Sequence, residues 1–156
     1  MRTHHSVLLA LTLSIAACGG GTGDAKEAGF QALQSGDFAD AAGHFEQALA
    51  TRSPSDEDYV EIAVGHCQAL AHIDPAQTKT TFLALGDQVT PKDYSIVVVE
   101  LVAVREFVTA IDILEAGVTR FPESPKMSVI KDRVVKASLE VGDSAALAKL
   151  KGLGYL

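Results

Sequence analysis

Two cysteines and five histidines are the side chains in this 156-residue chain best suited to metal binding or nucleophilic chemistry. His66 and Cys67 are adjacent, so on a helix they point about 100° apart rather than at one ion. His72 lies six residues beyond His66, away from the i, i+4 spacing that puts two ligands on one face. These positions predict no metal site and no cofactor. Cys67 sits in the small-residue run Ala63-Val64-Gly65-His66-Cys67-Gln68-Ala69-Leu70, where a thiol packs as a small hydrophobe. A nucleophilic cysteine would need a basic group poised to lower its pKa, and His66 is close only in sequence. The glycines at 19–23 and at 152 and 154 lack the Lys-Ser/Thr pair and preceding strand of a phosphate-binding loop. The acidic residues are scattered, as on solvated helical faces, and no pair stands out for general acid–base work. The expectation is a chain without catalytic residues, not an enzyme.

Cys18 has a different setting. Met1 to His5 is short and weakly basic, and Val7 to Ala17 is apolar apart from Thr12 and Ser14. A run of this length falls well short of the roughly 20 residues a membrane-spanning helix needs, and it fits the apolar region of a secretory signal. Ile15-Ala16-Ala17-Cys18 resembles the lipobox of bacterial lipoproteins: an aliphatic residue, two small residues that let a peptidase reach extended backbone, then the cysteine that is lipidated. The resemblance implies removal of residues 1–17 and acyl chains on Cys18. It also implies a Gly-rich tether over 18–23, with a folded domain over 24–156. Gly19 stands where an Asp would signal inner-membrane retention in some bacteria. The implied location is therefore the cell envelope, on the periplasmic face of the outer membrane. Two or more acyl chains anchor stably where one does not.

Charge bears on the partners. The chain carries a formal −7, and losing residues 1–17 removes one basic residue, Arg2, leaving 12 basic and 20 acidic residues, or −8. There is no basic stripe to displace counterions from phosphates, so a nucleic-acid partner is not expected. An acidic body is also ill suited to anionic headgroups, so contact with the membrane falls to the acyl chains on Cys18.

The elements that would carry these residues show a repeat. Gly36-Asp37-Phe38 is followed by Ala41, Phe45 and Ala48, with Pro54 beyond. Phe107, Ala110, Leu114 and Gly117 repeat the pattern, closed by Pro122. Phe38 to Phe107 is 69 residues and Pro54 to Pro122 is 68, close to two periods of 34. A weaker copy lies at Thr78, Phe82 and Leu85. Tyr59 and Tyr94 stand 35 apart, and Pro91 and Pro125 stand 34 apart. This pattern resembles the tetratricopeptide repeat, in which small residues let paired helices approach while an aromatic fills the gap. The fold class implied is all-α, antiparallel helix pairs stacked as a short right-handed solenoid. Eight helices are expected, near 24–35, 38–52, 56–73, 75–89, 92–105, 107–120, 125–141 and 143–151. The five prolines fall at their boundaries. The segment from Tyr94 to Val104 is rich in β-branched residues and locally suggests a strand. The repeat frame assigns it to a helix, apolar on most sides because it is buried between neighbours.

In repeats of this kind the first helix of each pair lines a concave surface that takes a peptide or partner helix. Counting along the repeat places Lys26, Phe30, Leu33, Ser95, Val99 and Val102 there as candidate groove residues. Some tetratricopeptide proteins clamp a terminal carboxylate with Lys, Arg and Asn, but this chain contains no Asn. A mostly apolar groove suits an amphipathic segment. The resemblance thus implies a lipid-anchored envelope adaptor for another protein. A self-associating spacer is the alternative, and a hydrolase or metal-dependent enzyme is a more distant one.

Overall fold

The computed structural model describes residues 22–156, with side chains described from Ala25 onward. The expected signal peptide and Cys18 lie outside the described residues. Eight α-helices follow one another: α1 (Thr22–Ser35), α2 (Phe38–Leu49), α3 (Tyr59–Ile73), α4 (Pro75–Ala84), α5 (Pro91–Ala103), α6 (Phe107–Arg120), α7 (Pro125–Val141) and α8 (Ser144–Gly152). No strand occurs among the described residues.

The helix starts follow from local chemistry. Asp74 accepts a hydrogen bond from the Gln77 backbone N–H at 2.9 Å, and Pro75 opens α4 where a missing N–H costs nothing. Before α5, the Thr90 backbone N–H and hydroxyl both donate to the Asp93 carboxylate, at 2.8 and 2.7 Å, with Pro91 between them. Asp143 caps α8 by accepting from the Ala146 N–H at 2.8 Å.

Three boundaries differ from the sequence expectation by three residues or more, each for a local reason. Helix α2 stops at Leu49 rather than 52, where the Thr51 hydroxyl and the Arg52 guanidinium both donate to the Ala48 carbonyl and satisfy the helix end. Helix α3 starts at Tyr59 rather than 56, because Ser53 to Asp56 forms a turn held by the Ser53 N–H on the Asp56 carboxylate. Helix α4 ends at Ala84, and Gly86 at φ 54° passes into a short 3-10 helix, Gly86–Gln88, before Val89 becomes extended. The β-branched segment is helical throughout α5. Val97, Val98 and Leu101 are fully buried and Ile96, Val99 and Val102 are half-buried, because α3, α6 and α7 all pack against it.

Consecutive helices pack as pairs, and a second order of contact lies over the first. The odd-numbered helices touch in sequence, α1 on α3, α3 on α5 and α5 on α7, while α4 touches α6 and α6 touches α8. The repeat positions are the core of this arrangement. Ala41, Phe45 and Ala48 are fully buried in α2, as are Thr78 and Phe82 in α4 and Ala110 and Leu114 in α6. Glycine explains how α1, α2 and α3 come so close. A Cβ at Gly29 would lie 2.7 Å from the Phe45 ring, and one at Gly65 would lie 2.8 Å from it. Phe45 thus fits between two helices that both lack a side chain there, and Phe30 meets it edge-on at 4.9 Å. Gly117 does the same for Tyr94 and Met127 in the later unit. The second row is tied by Asp112 of α6, which takes Lys79 of α4 at 2.9 Å and Lys149 of α8 at 2.6 Å.

Candidate functional site

Helix α1 presents Lys26, Phe30 and Leu33 at i, i+4 and i+7, hence along one stripe. That stripe runs beside the edge of α3 that carries Glu61, Val64, Gln68 and His72, spaced three or four residues apart. Between α1, α3 and α5 lies a cleft of about 410 Å³. Phe30 comes from α1, Glu61, Val64 and Gln68 from α3, and Lys92, Asp93 and Ile96 from α5. Phe30, Val64 and Ile96 give it an apolar floor. Val64 is buried, while Phe30 and Ile96 are half-buried.

A second, more polar cleft of about 550 Å³ adjoins the first at Glu61 and is lined by Lys26, Glu57, Asp58 and Glu61. Lys26 Nζ lies 2.5 Å from Glu61 Oε2 and 3.7 Å from Asp58. The hydrogen bond that Lys26 donates to Glu61 stabilises the ammonium and raises its pKa, against a smaller opposing effect of burial. Asp58 is held from its other side by Arg52, whose Nε and Nη2 reach the two carboxylate oxygens at 2.9 and 3.0 Å. This fork keeps the Asp58 carboxyl below its ordinary range. Toward the C-terminal ends of α3 and α5 the groove is bridged by Glu100. It accepts from Gln68 Nε2 at 3.3 Å and lies 3.2 Å from His72 Nε2, and Phe38 stacks on the His72 ring at 3.5 Å.

No family model, curated protein or solved structure matches the chain. The site must be argued from its own residues.

Of the six residues placed by counting, Phe30 lines the apolar cleft and Lys26 the polar one. Leu33 packs against the core around Phe45, and Val102 against the core shared by the later helices. Ser95 and Val99 are half-buried on α5, which faces the apolar cleft with Lys92, Asp93 and Ile96. The contribution of α3 was missed. The repeat carried the signal for it: Val64 is 34 residues after Phe30, and Glu61 is 35 after Lys26.

Among the described residues His44, His66, His72 and Cys67 do not converge. Among the described residues no three His, Cys, Asp or Glu side chains are grouped to hold a metal ion. Cys67 is fully buried, and burial pushes its thiol up to about 12, which keeps it protonated. His66 is buried beside it in sequence, with Nε2 3.5 Å from Glu46 Oε1 but without a hydrogen bond. Burial lowers its pKa, and the nearby Glu46 charge offsets only part of that. No helix among the described residues is long and apolar enough to cross a membrane.

Proposed function

We propose that this chain is a non-catalytic adaptor of the bacterial cell envelope, anchored through acyl chains on Cys18, that holds another protein in the groove between α1, α3 and α5. The observation that carries the proposal is the apolar floor that half-buried Phe30 and Ile96 form with buried Val64, in a cleft between three helices and bordered by charge. Side chains that serve only to close a core would be covered by a neighbouring helix. Here Phe30 packs edge-on against Phe45 yet stays partly accessible and lines the cleft. Apolar positions at helical spacing with a polar border are what an amphipathic segment docks into.

The repeat pattern at Phe38 and Phe107 supports reading the helix pairs as tetratricopeptide-like units, and the lipobox-like residues before Cys18 support the anchor. Three residues separate Cys18 from Thr22, a reach of at most ~14 Å even fully extended. An anchored groove would therefore stay close to one membrane face, its Lys26–Glu61 end nearest the anchor in sequence.

The test is crosslinking and pull-down of the full chain from membranes of a bacterium that makes it. The wild type is expected to recover a discrete partner. Phe30→Asp and Ile96→Asp, each checked for helicity by circular dichroism, should lose that partner while remaining folded. Cys18→Ser should move the protein to the soluble fraction. Partner capture that survives both groove changes would overturn the groove, and membrane retention of Cys18→Ser would overturn the anchor.

A further inference from the structure

The charges around the two adjoining clefts select among occupants. Their linings hold four carboxylates, Glu57, Asp58, Glu61 and Asp93, against two ammonium groups, Lys26 and Lys92. The carboxylates are not equally engaged. Asp58 is forked by Arg52, Glu61 takes Lys26, and the Asp93 carboxylate is occupied by Thr90 at the start of α5. Glu57 is exposed at the entry to α3 and has no ion-pair or hydrogen-bond partner among the described residues. Lys92 lines the apolar cleft rather than this mouth, and with Arg52 on Asp58 and Lys26 on Glu61 the unpaired negative charge of the polar cleft is that of Glu57.

Resting on the groove reading above, we propose that the occupant is a basic, apolar segment of a partner protein. An aliphatic or aromatic side chain sits on Phe30, Val64 and Ile96, and a Lys or Arg close to it in the segment enters the polar cleft toward Glu57 and Glu61. Two features of the site require both halves. The apolar cleft alone would accept any hydrophobic residue, and the acidic mouth alone would hold a cation only as strongly as a screened surface pair. Side by side and sharing Glu61, they select a segment that offers both. They disfavour an acidic segment, which would bring like charge against Glu57. An incoming cation also need not displace Lys26, since Glu57 is unpaired.

A random twelve-residue peptide library displayed on phage and selected on the immobilised full chain tests this. Enriched peptides are expected to carry Lys or Arg within a few positions of Leu, Ile, Val or Phe. Their affinity for the Glu57→Lys/Glu61→Lys double variant should fall about tenfold or more, and raising the salt from 50 to 500 mM should weaken wild-type binding comparably. Both substitutions are at exposed positions, and retained melting temperature would verify the fold. Phe30→Asp should abolish binding. Enriched peptides that are apolar, lost with Phe30→Asp but indifferent to charge reversal and salt, would keep the groove and overturn this inference. Acidic enriched peptides, or none, would also overturn it. Peptides indifferent to Phe30→Asp would remove the groove itself.

Discussion

Arg105 is the one non-glycine residue with positive φ among those described, at 66°. It ends α5 in the manner in which Gly36, at φ 81°, ends α1. At the first site Gly36 N–H bonds the Leu33 carbonyl at 3.2 Å and Asp37 N–H bonds the Ala32 carbonyl at 2.9 Å. At the second, Arg105 N–H bonds Val102 at 3.1 Å and Glu106 N–H bonds Leu101 at 2.8 Å. This is a Schellman ending, which favours glycine because an L side chain in the left-handed region crowds its own carbonyl. The two sites are 69 residues apart, the same spacing as Phe38 and Phe107, so the later unit keeps the turn without the glycine. Left-handed backbone costs an L residue about 1–2 kcal/mol. Arg105→Gly removes that cost, and glycine's greater freedom in the unfolded chain returns about 0.4–1 kcal/mol. The expected net gain is roughly 0.5–1 kcal/mol, a rise in Tm of about 2–4 °C for a chain of this size. The Arg105 side chain is exposed and makes no hydrogen bond or ion pair among the described residues, so its loss should matter little. Urea denaturation of a soluble form beginning at Gly19 measures the difference. Arg105→Ala is the control, because it deletes the side chain but keeps the strained backbone, and it should be neutral. Equal stabilisation by Ala and Gly would refute the backbone argument, as would a destabilised Arg105→Gly.

Two further perturbations follow from buried or bridging groups. His66 has a folded-state pKa below its ordinary value, chiefly through burial, so the unfolded chain takes up the proton first as pH falls. Its contribution should be complete above about pH 6.5 and should be lost progressively as pH drops toward the folded value. The urea midpoint of wild type should therefore decline from pH 7.5 to 5 more steeply than that of His66→Leu, and parallel curves would discount the burial of the ring. For Asp112, burial alone would raise the pKa, but hydrogen bonds from Lys149 and Lys79 outweigh it and leave the carboxyl low. Asp112→Asn should cost on the order of 1 kcal/mol, since both lysines are partly exposed and screened. The loss should shrink in 0.5 M salt, and a salt-independent loss would point to packing instead.

Most of the architecture was legible because its signals are strong and local. Prolines at 75, 91 and 125 open α4, α5 and α7, and the small and aromatic positions of α2 and α6 are the ones the core buries. The helix propensity of α5 pointed the wrong way, and tertiary burial decided it: a run that is poor helix by itself is stable when three neighbours cover it. The missed boundaries depended on side chains capping carbonyls after α2 and on the Ser53–Asp56 turn. Such contacts lie between residues with little helical periodicity to announce them.

The groove was harder to read than the core because its register depends on how far each helix rotates, and the chain does not keep one period. Across α1 and α3, Lys26 meets Glu61 at a separation of 35. Across α3 and α5, Gln68 meets Glu100 at a separation of 32. Counting by 34 or 35 into α5 therefore overshoots by two or three residues, and each residue of slip turns the assigned face by about 100°. Ser95 and Ile96 are neighbours in sequence, yet Ile96 is the one that lines the apolar cleft. A core position tolerates this error, since α5 is apolar on most sides and almost any count finds a buried valine. A surface site does not. The ion pairs and hydrogen bonds between successive first helices, Lys26–Glu61 and Gln68–Glu100, are therefore better guides to the groove face than any fixed repeat length. They also place Ile96, opposite Val64 at the same separation of 32, on the floor that Phe30 begins.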